Sequence, residues 1–143
     1  MSETMRIYMA RAVVFQDAVA KSVGLNSTDL QCANLLLLHG SATPGELAER
    51  SGLTAGGAVT AVIDRLERRG LVHRSRDTVD RRRVIITADA AELWRLVGPS
   101  YQRIADRWNE YLKALTDDQI EFAITVLGRA ADINAEEIDR LRA

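Results

Sequence analysis

Four arginines, Arg76, Arg81, Arg82 and Arg83, stand around Asp77 and Asp80 within eight residues. Guanidinium groups packed this densely suit one chemistry above others, the binding of phosphate oxygens and of electronegative grooves. On a thin ribbon, such an arginine can enter a narrow A·T-rich minor groove, where the negative potential is enhanced. An aspartate two residues before it can hold it extended through a salt bridge. The whole chain has a formal net charge of −1, which taken alone argues against a nucleic-acid partner. The distribution says otherwise. From Thr54 to Thr87 there are eight Arg and four acidic residues, whereas the remainder holds eleven Lys and Arg against sixteen acids. A basic segment on an acidic body provides both an electrostatic footprint and solubility.

Punctuation in the sequence shows which elements carry these residues. Thr43, Pro44 and Glu46 form a helix start, with a capping residue, a proline at the first helical position and an acid three residues after the cap. Gly52 closes that helix. Thr54 is read as the cap of the next, which runs to Arg69 and ends at Gly70, a position suited to positive φ. Leu71–Ser75 and Arg83–Thr87 read as the arms of a hairpin, the second rich in β-branched residues. A helix pair followed by a basic ribbon is the shape of a winged helix-turn-helix. On a 100° wheel the second helix turns Val59, Val62, Ile63 and Leu66 inward. Gly57, Ala61, Asp64 and Arg68 face outward, flanked by Thr54, Thr60 and Arg65. The amides near Ala55 to Gly57 can accept a phosphate at the helix start. Gly56 and Gly57 permit close backbone approach, or serve only as turn residues.

Long amphipathic helices flank this segment. The first spans about Thr4 to Val23, with an apolar seam of Met5, Tyr8, Ala12, Phe15 and Val19. Ser27 reads as the cap of a second helix, Thr28–His39, whose Leu35–Leu38 run predicts a central position. After the hairpin, Trp94, Val97, Tyr101, Ile104, Trp108, Tyr111 and Leu115 repeat at four-and-three spacing. Pro99 predicts a kink there. Thr116 caps a last helix from about Asp117 to Arg142, with Ile120, Ala123, Ile124, Leu127, Ala131, Ile138 and Leu141 on one face. These end helices have more apolar face than a small reader can cover, which predicts pairing with a second copy. The expected fold is mainly α with a small β-hairpin wing, a winged helix-turn-helix embedded in a helical dimerisation domain. Residues 28–88 would be the DNA-binding part of a single protomer spanning 1–143, and residues 1–25 and 89–143 the dimerisation part.

The stretch from Gly45 to Thr87 resembles the winged helix-turn-helix of the MarR family, the multiple antibiotic resistance regulators. The matching pieces are Glu46-Leu47-Ala48, Val59-Thr60, Asp64-Arg65-Leu66-Glu67, Gly70-Leu71-Val72 and Asp80-Arg81-Arg82 before a strand ending in Thr87. The flanking helices match the family's dimerisation domain in order and length, so the resemblance covers the chain. It implies a homodimeric transcription factor, usually a repressor, that binds a near-palindromic operator in double-stranded DNA and is released by a small ligand or an oxidant. It makes Asp80 the orienting acid and Arg82 the minor-groove arginine. It maps recognition-helix contacts to Thr54, Gly57, Ala58, Thr60, Ala61 and Arg65. Gly57, Ala58 and Ala61 depart from the Ser, Thr, Gln or Arg common in the family, which predicts thinner polar readout and more reliance on thymine methyls, Arg65 and groove shape.

The resemblance also implies an effector cleft between the dimerisation helices and the reader. Candidates by position are Arg11, Phe15, Cys32, Leu36, His39, Trp94 and Tyr101. Arg11 suits a carboxylate or phenolate, and the aromatics a ring of a small aromatic effector. Trp94, Tyr101 and Trp108 lie on a heptad stripe, which assigns them first to core or dimer seam. Cys32 is the single cysteine, so no intrachain disulfide can form, as suits a reducing cytoplasm. It has no cation at helical spacing, which favours a buried thiol over a redox switch. No metal constellation, cofactor motif, phosphate loop or nucleophile–base–acid set is present, so neither a cofactor nor an enzyme is expected. The start, MSETMRIYMARAVV, lacks the apolar run of a secretory leader, and no stretch is long and apolar enough to cross a membrane. Two alternatives are kept: an activator or architectural DNA-binding protein without an effector, and a helical adaptor for another protein.

Overall fold

A computed structural model describes residues 2–54 and 56–142, arranged as six helices and one hairpin. Helix α1 (Glu3–Ser22) is capped by the Ser2 hydroxyl and ends in a glycine turn, with Gly24 bonded back to Lys21 and Leu25 to Ala20. It lies one residue earlier at each end than the pattern suggests. Helix α2 (Ser27–His39) is capped by Asn26, whose Oδ1 accepts from the Asp29 amide at 2.8 Å. Ser27 was the expected cap. Its hydroxyl instead donates to Asp17 on α1. Asn caps as well as Ser does, so the helix starts one residue sooner.

Helix α3 (Pro44–Ser51) has the expected reciprocal box. The Thr43 amide donates to Glu46 Oε2 at 2.7 Å, and the Glu46 amide to Thr43 Oγ1 at 3.2 Å. Helix α4 (Gly57–Arg68) corrects the reading of its start. Its cap is Gly56, at φ +103° and ψ −123°, with no side-chain hydrogen bond, so Thr54 lies outside the helix and does not cap it. Only glycine adopts that conformation without strain, and it lets the chain turn late into the helix. At its other end, Gly70 bonds to Glu67 and Leu71 to Leu66, with Gly70 at φ +70°. This closure explains why strand β1 (Val72–Arg76) begins one residue later than expected: the Leu71 amide is already engaged by α4. Strand β2 (Val84–Ala88) is displaced likewise, because the Arg83 amide bonds to Asp80 within the turn.

The strands pair antiparallel, from Val72 opposite Ala88 to Arg76 opposite Val84. Ala42 adds a short third rung, bonding both ways with Ile86. Helix α2 packs on α1, α3, α4 and β2. Its Leu30, Cys32, Ala33 and Leu36 join Leu47, Val59, Val62, Ile63, Leu66, Leu71, Ile86, Leu93 and Val97 in the core. Burying each large side chain contributes about 2 kcal/mol, the term that opposes chain entropy. The centre is the first two-thirds of α2 rather than all of it, since Leu38 is 77% exposed.

Helix α5 (Ala90–Leu112) runs unbroken through Pro99, and α6 (Asp117–Arg142) follows a second reciprocal box between Thr116 and Gln119. The chain divides into two compact units, Met1–Ser100 and Tyr101–Ala143. The first holds the reader and its core. In the second, α6 has no buried residue among those described, and Phe122, Ile124 and Leu127 are exposed. Among the described residues, no helix is long and apolar enough to cross a membrane.

Candidate nucleic-acid interface

Helix α4 presents two chemically distinct faces. Val59, Val62, Ile63 and Leu66 are buried, while Gly57, Ala58, Thr60, Ala61, Asp64 and Arg68 are exposed, as the helical wheel requires. The exposed side is sparse in hydrogen-bonding groups. Of the amides expected at its start, that of Ala55 lies outside the described residues. Gly56 has its conformational role in the turn, whereas a Cβ on Gly57 would meet nothing within 4 Å.

Arg65, expected among the base contacts, has its guanidinium on Asp29. Its Nε lies 3.2 and 3.0 Å from the two carboxylate oxygens of Asp29, and its Nη2 lies 2.7 Å from Oδ1. Asp29 is only 3% exposed. A buried carboxylate left without a partner is costly, so it holds the guanidinium firmly against α2. That hydrogen bonding pushes the Arg65 guanidinium further up from its ordinary value. Arg69, one turn on, donates to the Gly24 and Val23 carbonyls, each at 2.8 Å. Asp64 faces outward, but its carboxylate is held by Arg74, which also binds Glu67. This pairing reduces the repulsion Asp64 would exert on phosphate. Arg68 leans back along its helix, with Nε 3.3 Å from the Asp64 carbonyl oxygen.

The wing is built on two nested aspartate turns. Asp77 Oδ1 accepts from the Val79 amide at 2.8 Å and more weakly from that of Asp80, and these amides hold its carboxyl below the usual range. Asp80 Oδ1 accepts from the Arg82 backbone amide at 3.0 Å. The expected side-chain salt bridge from Asp80 to Arg82 is therefore replaced by a backbone contact. An aspartate two residues back reaches the amide more readily than the end of a long side chain. Arg83 is drawn to α3, with Nη2 2.9 Å from Glu46 Oε1 and Nη1 4.0 Å from Asp77 Oδ2. The Thr43 amide, helped by the charges of Arg83 and Arg50, keeps the Glu46 carboxyl below the ordinary glutamate range. Among the described residues, Arg76 makes only a long 3.5 Å contact with the Arg81 carbonyl. Among the described residues, the Arg81 and Arg82 guanidiniums have no protein partner. Val79 at the tip is 95% exposed.

The residues nominated for an effector are scattered in character. Cys32 and Leu36 are buried in the core, Phe15 is half-buried, and Arg11 and His39 are exposed. Burial pushes the Cys32 thiol up, so little thiolate exists near neutral pH. The Trp94 indole lies along its own helix, with ring atoms 3.3–3.4 Å from where a Cβ on Gly98 would stand. Tyr101 belongs to the second unit and is half-buried. That unit also contains an open cavity of about 410 Å³ lined by Ile104, Arg107, Trp108 and Tyr111, none of them nominated from the sequence. Trp108 and Tyr111 meet edge to face, with ring centroids 6.1 Å apart.

Sequence reasoning missed Asp29, Arg74 and Glu46 as partners of the reader's charges, and Arg69 as a cation held by backbone carbonyls. One signal was available: on the wheel Arg69 falls within about 20° of Val62, on the core side.

The family model described as MarR family matches residues 25–84. The HTH-type transcriptional regulator YcgE of Bacillus subtilis is 41% identical over 135 residues, which span 92% of this chain and 84% of that protein. The fold matches a mutant of MepR from a multidrug-resistant S. aureus clinical isolate, with TM-score 0.73 and 18% identity, covering 90% of this chain and 93% of that one. It also matches NadR in complex with 4-hydroxyphenylacetate, with TM-score 0.60 and 22% identity, covering 93% and 94%. With a winged helix whose exposed face and free arginines suit duplex DNA, and with a relative this similar over nearly its whole length, the chain belongs to the MarR family of DNA-binding transcriptional regulators.

Proposed function

We propose that two copies of this chain bind a near-palindromic operator as a repressor and leave it when a small aromatic acid binds. One observation carries the DNA-contact part: of the eight arginines between Thr54 and Thr87, only Arg81 and Arg82 have guanidiniums without a protein partner among the described residues. Arg82 enters the minor groove and Arg81 meets phosphate. The exposed face of α4, through Thr60, Ala61 and Arg68, enters the major groove with Gly57 at the duplex edge. Residues 28–88 form the reader, and residues 1–25 and 89–143 the dimerisation part. Exposed apolar side chains at Val13 and Val14 on α1, and at Phe122, Ile124 and Leu127 on α6, support self-association.

The aromatic-acid effector follows from the 4-hydroxyphenylacetate in the structurally similar NadR, with Arg11 as the carboxylate partner. A second reading, regulation without an effector, is favoured by the burial of Cys32 and Leu36 and by Trp94 lying on its own helix.

Selecting bound sequences from a random duplex pool defines the operator. Titrating 4-hydroxyphenylacetate into the complex, with Trp94 and Trp108 fluorescence as a second signal, decides between the readings. Duplex release marks a ligand-responsive repressor, and unchanged binding across a panel of phenolic acids removes the effector. A monomer by sedimentation at micromolar concentration overturns the dimer. Absence of any salt-sensitive duplex binding overturns the assigned contacts.

A further inference from the structure

We propose that Arg65 and Arg69 are a two-point clamp that sets the pitch of the recognition helix, and that neither reads DNA. The apolar stripe of α4 is buried but non-directional, so it resists separation from the core better than it resists small rotations. Directional restraint comes from the arginines one turn apart, about 6 Å along the axis. Arg65 forks onto Asp29 in the first turn of α2. Arg69 forks onto the Val23 and Gly24 carbonyls, where α1 ends. The negative end of the α1 dipole favours a cation there. Both acceptors are themselves fixed. The Asp29 amide is bonded to Asn26, and the Val23–Gly24 turn is closed by the Gly24 and Leu25 amides. The recognition helix is thus tied to the α1–α2 junction by four charge-assisted hydrogen bonds of 3.0 Å or less. Asp29, Arg65 and Arg69 are positioning residues. A rotated α4 would misalign Thr60, Ala61 and Arg68 with the groove while leaving the phosphate contacts of the wing in place.

The inference rests on α4 lying in the groove, and Asp29 makes it testable, because a side chain 3% exposed cannot touch DNA. The probe is a duplex selected by the wild-type protein, bound across a salt series at a temperature where circular dichroism shows each variant fully folded. D29N and R65Q should each weaken binding about tenfold, the scale of losing a charged hydrogen-bond pair, with the salt slope unchanged. The D29N/R65Q double variant should bind no worse than the weaker single, since the two residues act as one unit. R65K should recover part of the loss, and R69Q should cost about threefold, because its carbonyl acceptors can turn to water. The clamp is overturned if D29N binds as tightly as wild type, or if R65Q lowers the salt slope by about one, the mark of a lost phosphate contact. If the wild-type protein shows no salt-sensitive duplex binding at all, the groove assignment fails and the clamp's role in DNA binding fails with it.

Discussion

On the wing, Arg81 and Arg82 stand on a tight loop whose shape is fixed by Asp77 and Asp80 through backbone amides, leaving their guanidiniums without a partner among the described residues. On the recognition helix, Arg65 and Arg69 are engaged by Asp29 and by the carbonyls at the end of α1. Both regions cluster arginines in sequence and use them oppositely in space. Formal charge therefore overstates what the helix offers to DNA. A guanidinium already forked onto a buried carboxylate has little to gain from phosphate, and leaving would strand that carboxylate. The wing supplies most of the freely available cation. The helix supplies a mostly small-residue surface of Gly57, Ala58, Thr60 and Ala61, with Arg68 at its end. Such a surface favours close approach and methyl contacts over polar base readout.

Four variants can break or sharpen this contrast. Removing both free cations, in R81A/R82A, should weaken operator binding about a hundredfold at physiological salt and lower the salt slope by about two. Anisotropy titrations at several salt concentrations measure both, and a loss confined to affinity would remove phosphate contact from the wing. R65A should instead act on the fold. It leaves Asp29 buried and unpaired, and denaturant unfolding should report a loss of about 2–3 kcal/mol, discounted because the arginine itself is partly solvated. A stability change under about 0.5 kcal/mol would mean that water replaces the partner.

G57A has a smaller expected effect, of mixed sign. The site has room for a Cβ, so stability should rise by about 0.5 kcal/mol. Operator affinity should fall about threefold as the methyl stands off the duplex backbone. Unchanged affinity would reduce Gly57 to a turn residue. The smallest effect belongs to E46Q. Glutamine keeps the capping box but releases Arg83 to the wing. Stability should stay within about 0.5 kcal/mol, with operator affinity up about twofold. The pH dependence has a defined sign. The folded-state Glu46 carboxyl is held down, first by the Thr43 amide. Its contribution is therefore complete above the unfolded-state glutamate value of about 4.3 and is lost as pH falls through the lower folded value. Any gap in urea stability between wild type and E46Q should therefore be constant above that acid window and close as pH falls through it.

Much of this was legible in the chain. The α3 box at Thr43 and Glu46, the Gly70 stop, the buried stripe of α4 and the antiparallel hairpin all follow from rules that act over three to seven residues. The misreadings occurred where local rules had two acceptable answers. Asn26 and Ser27 both cap helices, and contact with Asp17 on another helix decided between them. Thr54 is a good cap by type, yet Gly56 takes a conformation open only to glycine and delays the helix. The strands slipped by one residue because the amides of Leu71 and Arg83 were engaged by their neighbouring turns.

By itself the sequence determined the order of elements, the inward and outward faces of the recognition helix and the concentration of arginine on a hairpin. Each depends on periodicity or on neighbours close along the chain. Only the tertiary structure decided which arginines are available. Asp29 lies 36 residues from Arg65, Gly24 lies 45 from Arg69, and Glu46 lies 37 from Arg83. No local pattern relates positions so far apart. A charge is free or engaged according to what the fold places within hydrogen-bonding distance of it, because a charged hydrogen bond to a desolvated, fixed partner outweighs one to water only at contact range.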